Sequence, residues 1–507
     1  MAAMVLQDPD KVQTTFIPNP ERFDVLWNGT VDMLTFTTTH TMSRDIHQIS
    51  TNAGYSFSTP YLYDGVAFAG DPSYVQCADN RQVSEECSGL RVCVTAGTTE
   101  FDVVSEQLPA ANLHVATSET LFDSLIYGDC NVICGEGSKI SESVLRKAGY
   151  TGPYHFGTDL VTRDPLTMVS RQDDPKWSLL VDTIMQALLA AEKAGITQED
   201  AIKLLEAKSL MTQLDDESFD TRLLRVVAAI GNYGEMYQRH LEPVFPRAGQ
   251  NIMNDGTGLI FSFPFGNLGN EGPGPIEGGN IEKILERGHL ICGIRPDRPG
   301  FAIAETSNVD GADQWTGLDV DYCRAISSAL FGGDFSALVF VEVDDEYSFE
   351  NDIEEVEVDV VAGAIRNYDT MIENSYSQPY FYGDDAGYES TRTTVSMMTP
   401  SNDVQWSDFV YWIVSSTFYA EEEQIQRFNA NRMPETQLFG PSLTRMFRDA
   451  ILAVGNYGEM YFRNVEDVNI HPRLGSRNML NSMPFGPQHY PLYEPKIASL
   501  FNNGDEQ

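Results

Sequence analysis

Gly231-Asn232-Tyr233-Gly234-Glu235-Met236-Tyr237 occurs twice in this chain, returning unchanged as Gly455-Asn456-Tyr457-Gly458-Glu459-Met460-Tyr461. Further matches keep the same order around it. Ser58-Thr59-Pro60-Tyr61 answers to Ser377-Gln378-Pro379-Tyr380, and Asp174-Pro175-Lys176-Trp177-Ser178 to Asp403-Val404-Gln405-Trp406-Ser407. Pro246-Arg247-Ala248-Gly249 before Pro264-Phe265-Gly266 answers to Pro472-Arg473-Leu474-Gly475 before Pro484-Phe485-Gly486. The chain is a tandem duplication.

The copies have lost different parts. The offset is 319 at Tyr61 and Tyr380 (380 less 61), 229 at the tryptophans (406 less 177) and 224 at the heptapeptide (455 less 231). Copy B therefore lacks about 90 residues that copy A carries between the first two landmarks. Copy B in turn has a long segment before its SxPY motif with no counterpart in copy A. The boundaries fall at 1–21 (N-terminal arm), 22–265 (copy A), 266–280 (linker), 281–465 (copy B) and 466–507 (C-terminal arm).

The linker is dense in Gly and Pro and cannot build a core. Residues 31–37, 90–94, 113–116 and 131–134 have strand patterns, and 120–127 a helical one, an alternation that predicts βαβ units. Residues 177–194 form an amphipathic helix stopped by Gly195, and Thr197 with Asp200 caps the next. Helix 221–230 leads into the first heptapeptide. Copy B begins with helix 281–287 and strand 289–294, followed by helix 319–331 and strand 338–343. Its helix 406–419 carries an aromatic stripe, which suits either a core or an interface. The arms lack periodicity and are expected to lie across faces left uncovered by the missing elements, on a domain other than their own or on another molecule.

The 507 residues include 74 acidic and 33 basic ones, a net charge of −41. That balance argues against nucleic acid or anionic membrane as partners. No run is long and apolar enough to span a membrane, and residues 1–9 lack the regions of a secretory signal. The sequence holds no GxSxG, P-loop or HExxH, and Cys130-Asn131-Val132-Ile133-Cys134 is no zinc pattern. The reading is no enzyme, no cofactor and no metal.

Arg287-Gly288-His289-Leu290-Ile291-Cys292-Gly293, Gly317-Leu318-Asp319-Val320-Asp321-Tyr322-Cys323-Arg324-Ala325 and the heptapeptide resemble the general L-amino-acid-binding proteins of bacterial ABC transporters. Residues 92–100, 130–132 and 193–198 resemble the second lobe and late hairpin of the same family. The resemblance implies an α/β fold: two homologous periplasmic-binding-protein-like domains in tandem, each incomplete, with extended terminal arms. Copy A has the second lobe and a partial first lobe; copy B has a first lobe only. In such proteins two lobes close around one solute. By resemblance, Arg44 and Thr39 in Thr38-Thr39-His40-Thr41-Met42-Ser43-Arg44 take the ligand carboxylate, His40 replaces an aromatic shelf, Thr98 and Thr99 are second-lobe hydroxyls, and Glu136 stands where an aspartate holds the ammonium. Arg44 has the alternative of a plain ion-paired arginine. In copy B the arginine position falls on Met371, with Arg366 nearby but out of register. Cys93 with Cys130 and Cys292 with Cys323 occupy positions where relatives carry cysteine; each is a disulfide candidate or a pair of buried thiols. Cys77 and Cys87 are loop cysteines, and Cys134 is left over.

The tandem, acidic chain also resembles the pyrenoid shell proteins of diatoms. That implies a non-enzymatic structural protein of the plastid stroma, with its transit peptide removed, forming a sheet or tube around Rubisco with itself and with paralogous shell proteins. The alternative is an amino-acid-binding protein of an ABC transporter acting through copy A, periplasmic or extracellular with its signal removed.

Overall fold

The computed structural model describes residues 1–466 except 47–53, 81–84, 110–111, 158–160, 163, 212–218, 244, 246, 248–262, 264, 297, 307–312, 345–346, 350–356, 367–372 and 384–392. The C-terminal arm beyond Glu466, the 249 and 264 landmarks and Met371 lie outside the described residues. The N-terminal arm forms α1 (Ala2–Val5), a 3-10 turn at Asn19–Glu21 and, running into copy A, α2 (Arg22–Trp27).

Copy A starts its first lobe with β1 (Leu34–Thr39), α3 (Met42–Asp45), β2 (Tyr55–Phe57) and β3 (Leu62–Asp64). It then leaves for a second lobe of β4 (Val66–Gly70), α4 (Pro72–Asp79), β5 (Val92–Thr95), α5 (Thr99–Gln107), β6 (Leu113–Ala116), α6 (Leu121–Tyr127), β7 (Val132–Glu136), α7 (Glu142–Lys147) and β8 (His155–Phe156). The chain returns through β9 (Asp164–Arg171) to α8 (Pro175–Lys193), α9 (Gln198–Met211), α10 (Phe219–Ile230) and α11 (Tyr233–His240). Copy B comprises α12 (Asn280–Arg287), β10 (Leu290–Ile294), the hairpin β11 (Ile303–Thr306) and β12 (Asp313–Thr316), α13 (Leu318–Leu330), β13 (Leu338–Glu342), β14 (Val360–Ile365), β15 (Asn374–Tyr376), β16 (Phe381–Gly383), β17 (Thr393–Pro400), α14 (Val404–Glu422), α15 (Met446–Val454) and α16 (Tyr457–Tyr461).

The duplication is visible in strand register. Copy A pairs β1-β9-β2 with β3 also on β9; copy B pairs β13-β10-β14-β17-β15 with β16 also on β17. Leu62 faces Leu166 where Phe381 faces Val395, and Tyr55 faces Arg171 where Asn374 faces Pro400. Thus β14 and β17 answer to β1 and β9. Register also places Arg366 at the position of His40, since Ala364 faces Ser396 as Thr38 faces Thr167.

Four residues of the heptapeptide have the same structural task in both copies. Gly231 and Gly455 have φ of +84° and +86°, which L side chains rarely adopt. Asn232 and Asn456 cap α11 and α16 in capping boxes closed by Glu235 and Glu459. Each Asn also donates a 2.8 Å bond, to Ile196 O and Ile425 O respectively. Tyr233 donates to Tyr61 O and Tyr457 to Tyr380 O, tying the heptapeptide to the SxPY motif in both copies. The serine of that motif in turn accepts from Met168 N or Met397 N.

Each loss has a local answer. In copy B, α13 packs along α15; in copy A the equivalent helix α10 packs on α1, and Met4 is buried in that core. The N-terminal arm thus covers a face left bare, on its own neighbouring copy rather than on the far domain expected. Copy B replaces the second lobe by 384–392. The described part of 266–280 is no free spacer: Gly272 N donates to Gln437 O at 3.0 Å, and Gln405 Nε2 donates to Gly274 O at 2.6 Å.

The two copies share one core. Met42, Ile46, Tyr63, Phe263 and Phe265 pack into the apolar cluster of copy B. The aromatic α14 is both core and interface. Trp412 is fully buried, and its indole Nε1 donates to Asp45 Oδ2 at 2.9 Å. Arg366 pairs with Asp182 at 3.1 Å, and Gln172 donates to Asp408 at 3.1 Å.

Candidate functional site

The cleft between the lobes of copy A is built around a hinge. β3 passes into β4 through Asp64–Gly65, and β9 re-enters the first lobe beside it. Asp64, fully buried, accepts from Gly65 N (2.8 Å), Gly137 N (2.9 Å), Ser138 N (3.0 Å) and Ser138 Oγ (2.5 Å). That carboxylate fixes the turn after β7, and with it Glu136.

The structure brings the five sequence-predicted residues together. Thr39, Arg44, Thr98, Thr99 and Glu136 line one cleft, joined by Asn19, Arg22, Glu100 and Lys139. Thr39 ends β1, and Arg44 follows on the single turn α3, where its Nη1 donates to Thr39 O at 2.9 Å. Thr99 stands 3.5 Å from Thr39, hydroxyl to hydroxyl, so the two lobes touch. Thr98 differs from expectation. Its hydroxyl donates to Thr95 O (2.8 Å) and accepts from Phe101 N (3.3 Å), so it serves as the N-cap of α5. Burial lowers the pKa of Arg44, against Asp102, Glu100, Asp164 and Glu136, which raise it. The free volume of the cleft is about 10 Å³, less than an amino acid needs. Sequence reasoning missed Glu100, Arg22 and Asp64: Glu100 ends the 92–100 motif without an assigned role, while Arg22 and Asp64 sit in no motif and take their places through tertiary structure.

His40 is not a shelf in this cleft. It stacks on Phe57, with ring centroids 4.5 Å apart, and faces Tyr411 and Trp412 of copy B. It lines a different cavity of about 600 Å³ between the copies, opposite Arg366 and Asp182. None of the five predicted residues borders that cavity.

The predicted disulfides form: Cys93 with Cys130 and Cys292 with Cys323, together with Cys77 and Cys87; Cys134 is a buried free thiol. Among the described residues there is no cluster of His, Cys, Asp and Glu suited to a metal, and no helix long and apolar enough to cross a membrane.

No family model matches the chain. The general L-amino acid-binding periplasmic protein AapJ of Rhizobium johnstonii is 28% identical over 287 residues, covering 52% of this chain and 80% of that protein. The glutamate/glutamine/aspartate/asparagine-binding protein BztA of Rhodobacter capsulatus is 26% identical over 284 residues, covering 52% and 81%. The chain is a homologue of bacterial amino-acid-binding proteins of ABC transporters. Among solved structures, a periplasmic binding protein from Brucella ovis with glutathione bound aligns over 48% of this chain and 79% of its own, at 24% identity and a TM-score of 0.38. Half of this homologue covers four fifths of a relative, as expected of a duplicated chain. Descent from non-catalytic binding proteins agrees with the lack of any catalytic motif.

One further carboxylate marks the hinge of the homologue. Asp164 faces Asp64 across the β3–β9 pair, and burial, then the charge of Glu100, raise its pKa to about 7 despite a hydrogen bond from Thr162. The unfolded group titrates near 3.8, so between about pH 4 and 7 the unfolded chain gives up this proton first. Stability from this group therefore falls as pH rises through that window, and the penalty is complete above pH 7. Asp164→Asn keeps the shape of the protonated acid. It is expected to raise the melting temperature at pH 8 and leave it unchanged at pH 4, as read by differential scanning calorimetry; equal effects at both pH values would refute the assignment.

Proposed function

We propose that the protein is a solute-recognition protein whose one working site is the interlobe cleft of copy A, and that its solute is an α-amino acid. The carrying observation is the meeting of Thr39 and Arg44 from the first lobe with Thr99 and Glu136 from the second. Arg44 suits an α-carboxylate, because a guanidinium offers paired donors. Glu136, 5% exposed, suits an ammonium. The names of AapJ and BztA support this ligand class. Three disulfides support an oxidising compartment, in keeping with an extracytoplasmic place. Copy B, without a second lobe, acts as a rigid support for α3.

A ligand that binds only the folded chain raises its melting temperature by mass action. We expect at least one of the common L-amino acids, at millimolar concentration, to stabilise the chain or its Arg22→Ala variant, and Arg44→Ala to abolish the shift. No shift with any of them in either protein would end this reading.

A second reading, a self-assembling shell component such as a pyrenoid sheath, rests on one observation. Among the described residues, strand β13 is the open edge of the six-stranded sheet, with Val339 and neighbouring Phe335 about half exposed. Open apolar edges invite pairing with another copy. Negative-stain microscopy decides it: sheets or tubes that Val339→Lys disperses support a scaffold, and monodisperse particles at high concentration exclude it.

A further inference from the structure

The cleft of copy A is filled by its own chain. The turn Asn19–Glu21 and the first residue of α2 enter between the lobes, and Asn19 and Arg22 are each only 4% exposed. Segment 19–22 touches both sides. On the first lobe, α2 is anchored by fully buried Leu26 in a small core with Leu34, Tyr55 and Val169, and Tyr55 donates to Phe23 O at 3.0 Å. On the second lobe, Pro20 lies against Gly97: a Cβ built on that glycine comes within 3.7 Å of the Pro20 Cα. Arg22 reaches between them. Its Nη1 donates to Asn19 O at 3.0 Å, which closes the turn on itself.

The charges in the cleft match this cation. Glu100 and Glu136, both 5% exposed, are the carboxylates whose fields favour the charged form of Arg22. Arg44 opposes it, and both guanidiniums lie over the Phe23 ring, Arg22 Cζ 4.9 Å and Arg44 Cζ 5.6 Å from its centroid. An aromatic ring attracts a cation held over its face. Burial, the largest effect, holds Arg22 down at about 9, so the side chain is still mostly charged at neutral pH. A buried arginine is costly unless carboxylates lie near it, and the two that favour its charge line the same cleft from the second lobe. Arg22 therefore sits between the lobes, where a bound solute sits in a two-lobed receptor.

We propose that segment 19–22 is a tethered ligand of the copy A cleft, with the Arg22 guanidinium in the place of a solute's cationic group, holding the lobes closed until a solute displaces it. This deepens the solute-binding reading and rests on its choice of site. A competing intramolecular ligand lowers the apparent affinity for a free one by the fraction of chains in which the cleft is open.

The test is hydrogen exchange on the full chain without added ligand, comparing wild type, Arg22→Lys and Arg22→Ala. The amides of 97–101 and 136–139, which face the cleft from the second lobe, are expected to exchange at least about tenfold faster in Arg22→Ala and near the wild-type rate in Arg22→Lys. Amides of β14 and β17 in copy B serve as the internal control for an intact fold and are expected to keep their rates. Unchanged protection at 97–101 and 136–139 overturns the tether, whatever the chain binds. Faster exchange there, with none of the common L-amino acids binding Arg22→Ala, upholds the tether and instead defeats the solute reading.

Discussion

Trp412→Ala is expected to destabilise the folded chain by about 3–5 kcal/mol, the cost of emptying a buried indole site. Two losses coincide at this residue. The ring is fully buried against Phe265 and His40, and the cavity left behind lies where the two copies share a core. The indole N–H is also a hydrogen-bond donor to Asp45, a carboxylate 7% exposed. Removing one partner leaves a buried polar group less satisfied, which costs more than the bond itself was worth. Trp412→Phe separates the terms, keeping most of the packing and losing the donor. Urea denaturation followed by far-ultraviolet circular dichroism gives the values. A change within about 0.5 kcal/mol, the range of ordinary surface substitutions, would show that the copies are not joined as described.

The same substitution bears on the cleft. Arg44 and Asp45 are neighbours on α3; one lines the interlobe cleft and the other bonds to copy B. Ser43, on the same turn, donates its N–H to Phe265 O at 2.9 Å, and its hydroxyl accepts from Asn267 N at 3.0 Å. The turn that presents Arg44 is thus held from behind by the junction between copies. This gives the single-lobed copy B a physical reason to be retained.

Asp64→Ala is the second substitution with a large expected effect. The carboxylate accepts from three backbone N–H groups and one hydroxyl at the point where the chain crosses between lobes. Hydrogen bonds to a charged acceptor contribute about 1.5–3 kcal/mol each, and their donors here would be left without it. A loss of about 3 kcal/mol or more is expected, with Asp64→Asn intermediate because it can accept from only part of the set. Glu136 precedes the released turn, so amino-acid binding should weaken further than stability alone explains. Chemical denaturation together with a ligand-induced melting shift checks both; retained binding in a destabilised Asp64→Ala would show that the hinge does not position Glu136.

Much of this architecture was legible in the sequence, for identifiable reasons. The heptapeptide and the SxPY motif are short and local; the first is fixed by a capping box and a left-handed glycine, and a tyrosine hydrogen bond ties it to the second. The offsets between landmarks place the length difference between equivalent strands, at 65–163 and 384–392. The five site residues line one cleft, with Thr98 spent on capping α5. What escaped was the particular residues at which one copy meets the other and the N-terminal arm enters the cleft. His40 looked like a cleft residue by its place after β1, yet that position faces the interface, as Arg366 shows from the other copy. Arg22 stands in a stretch without periodicity, and nothing local announces that it is buried. Asp64 draws three of its four donors from residues 137 and 138, a pairing that only the hinge brings about.

The central claim is one solute site per chain, in copy A, competing with Arg22. Isothermal titration of Arg22→Ala with L-arginine, repeated with Arg22→Ala/Arg44→Ala, tests it most directly. The account predicts one binding event per chain in the first protein, at least about tenfold tighter than in wild type, and none in the second. Two events per chain, or binding that persists without Arg44, would contradict it.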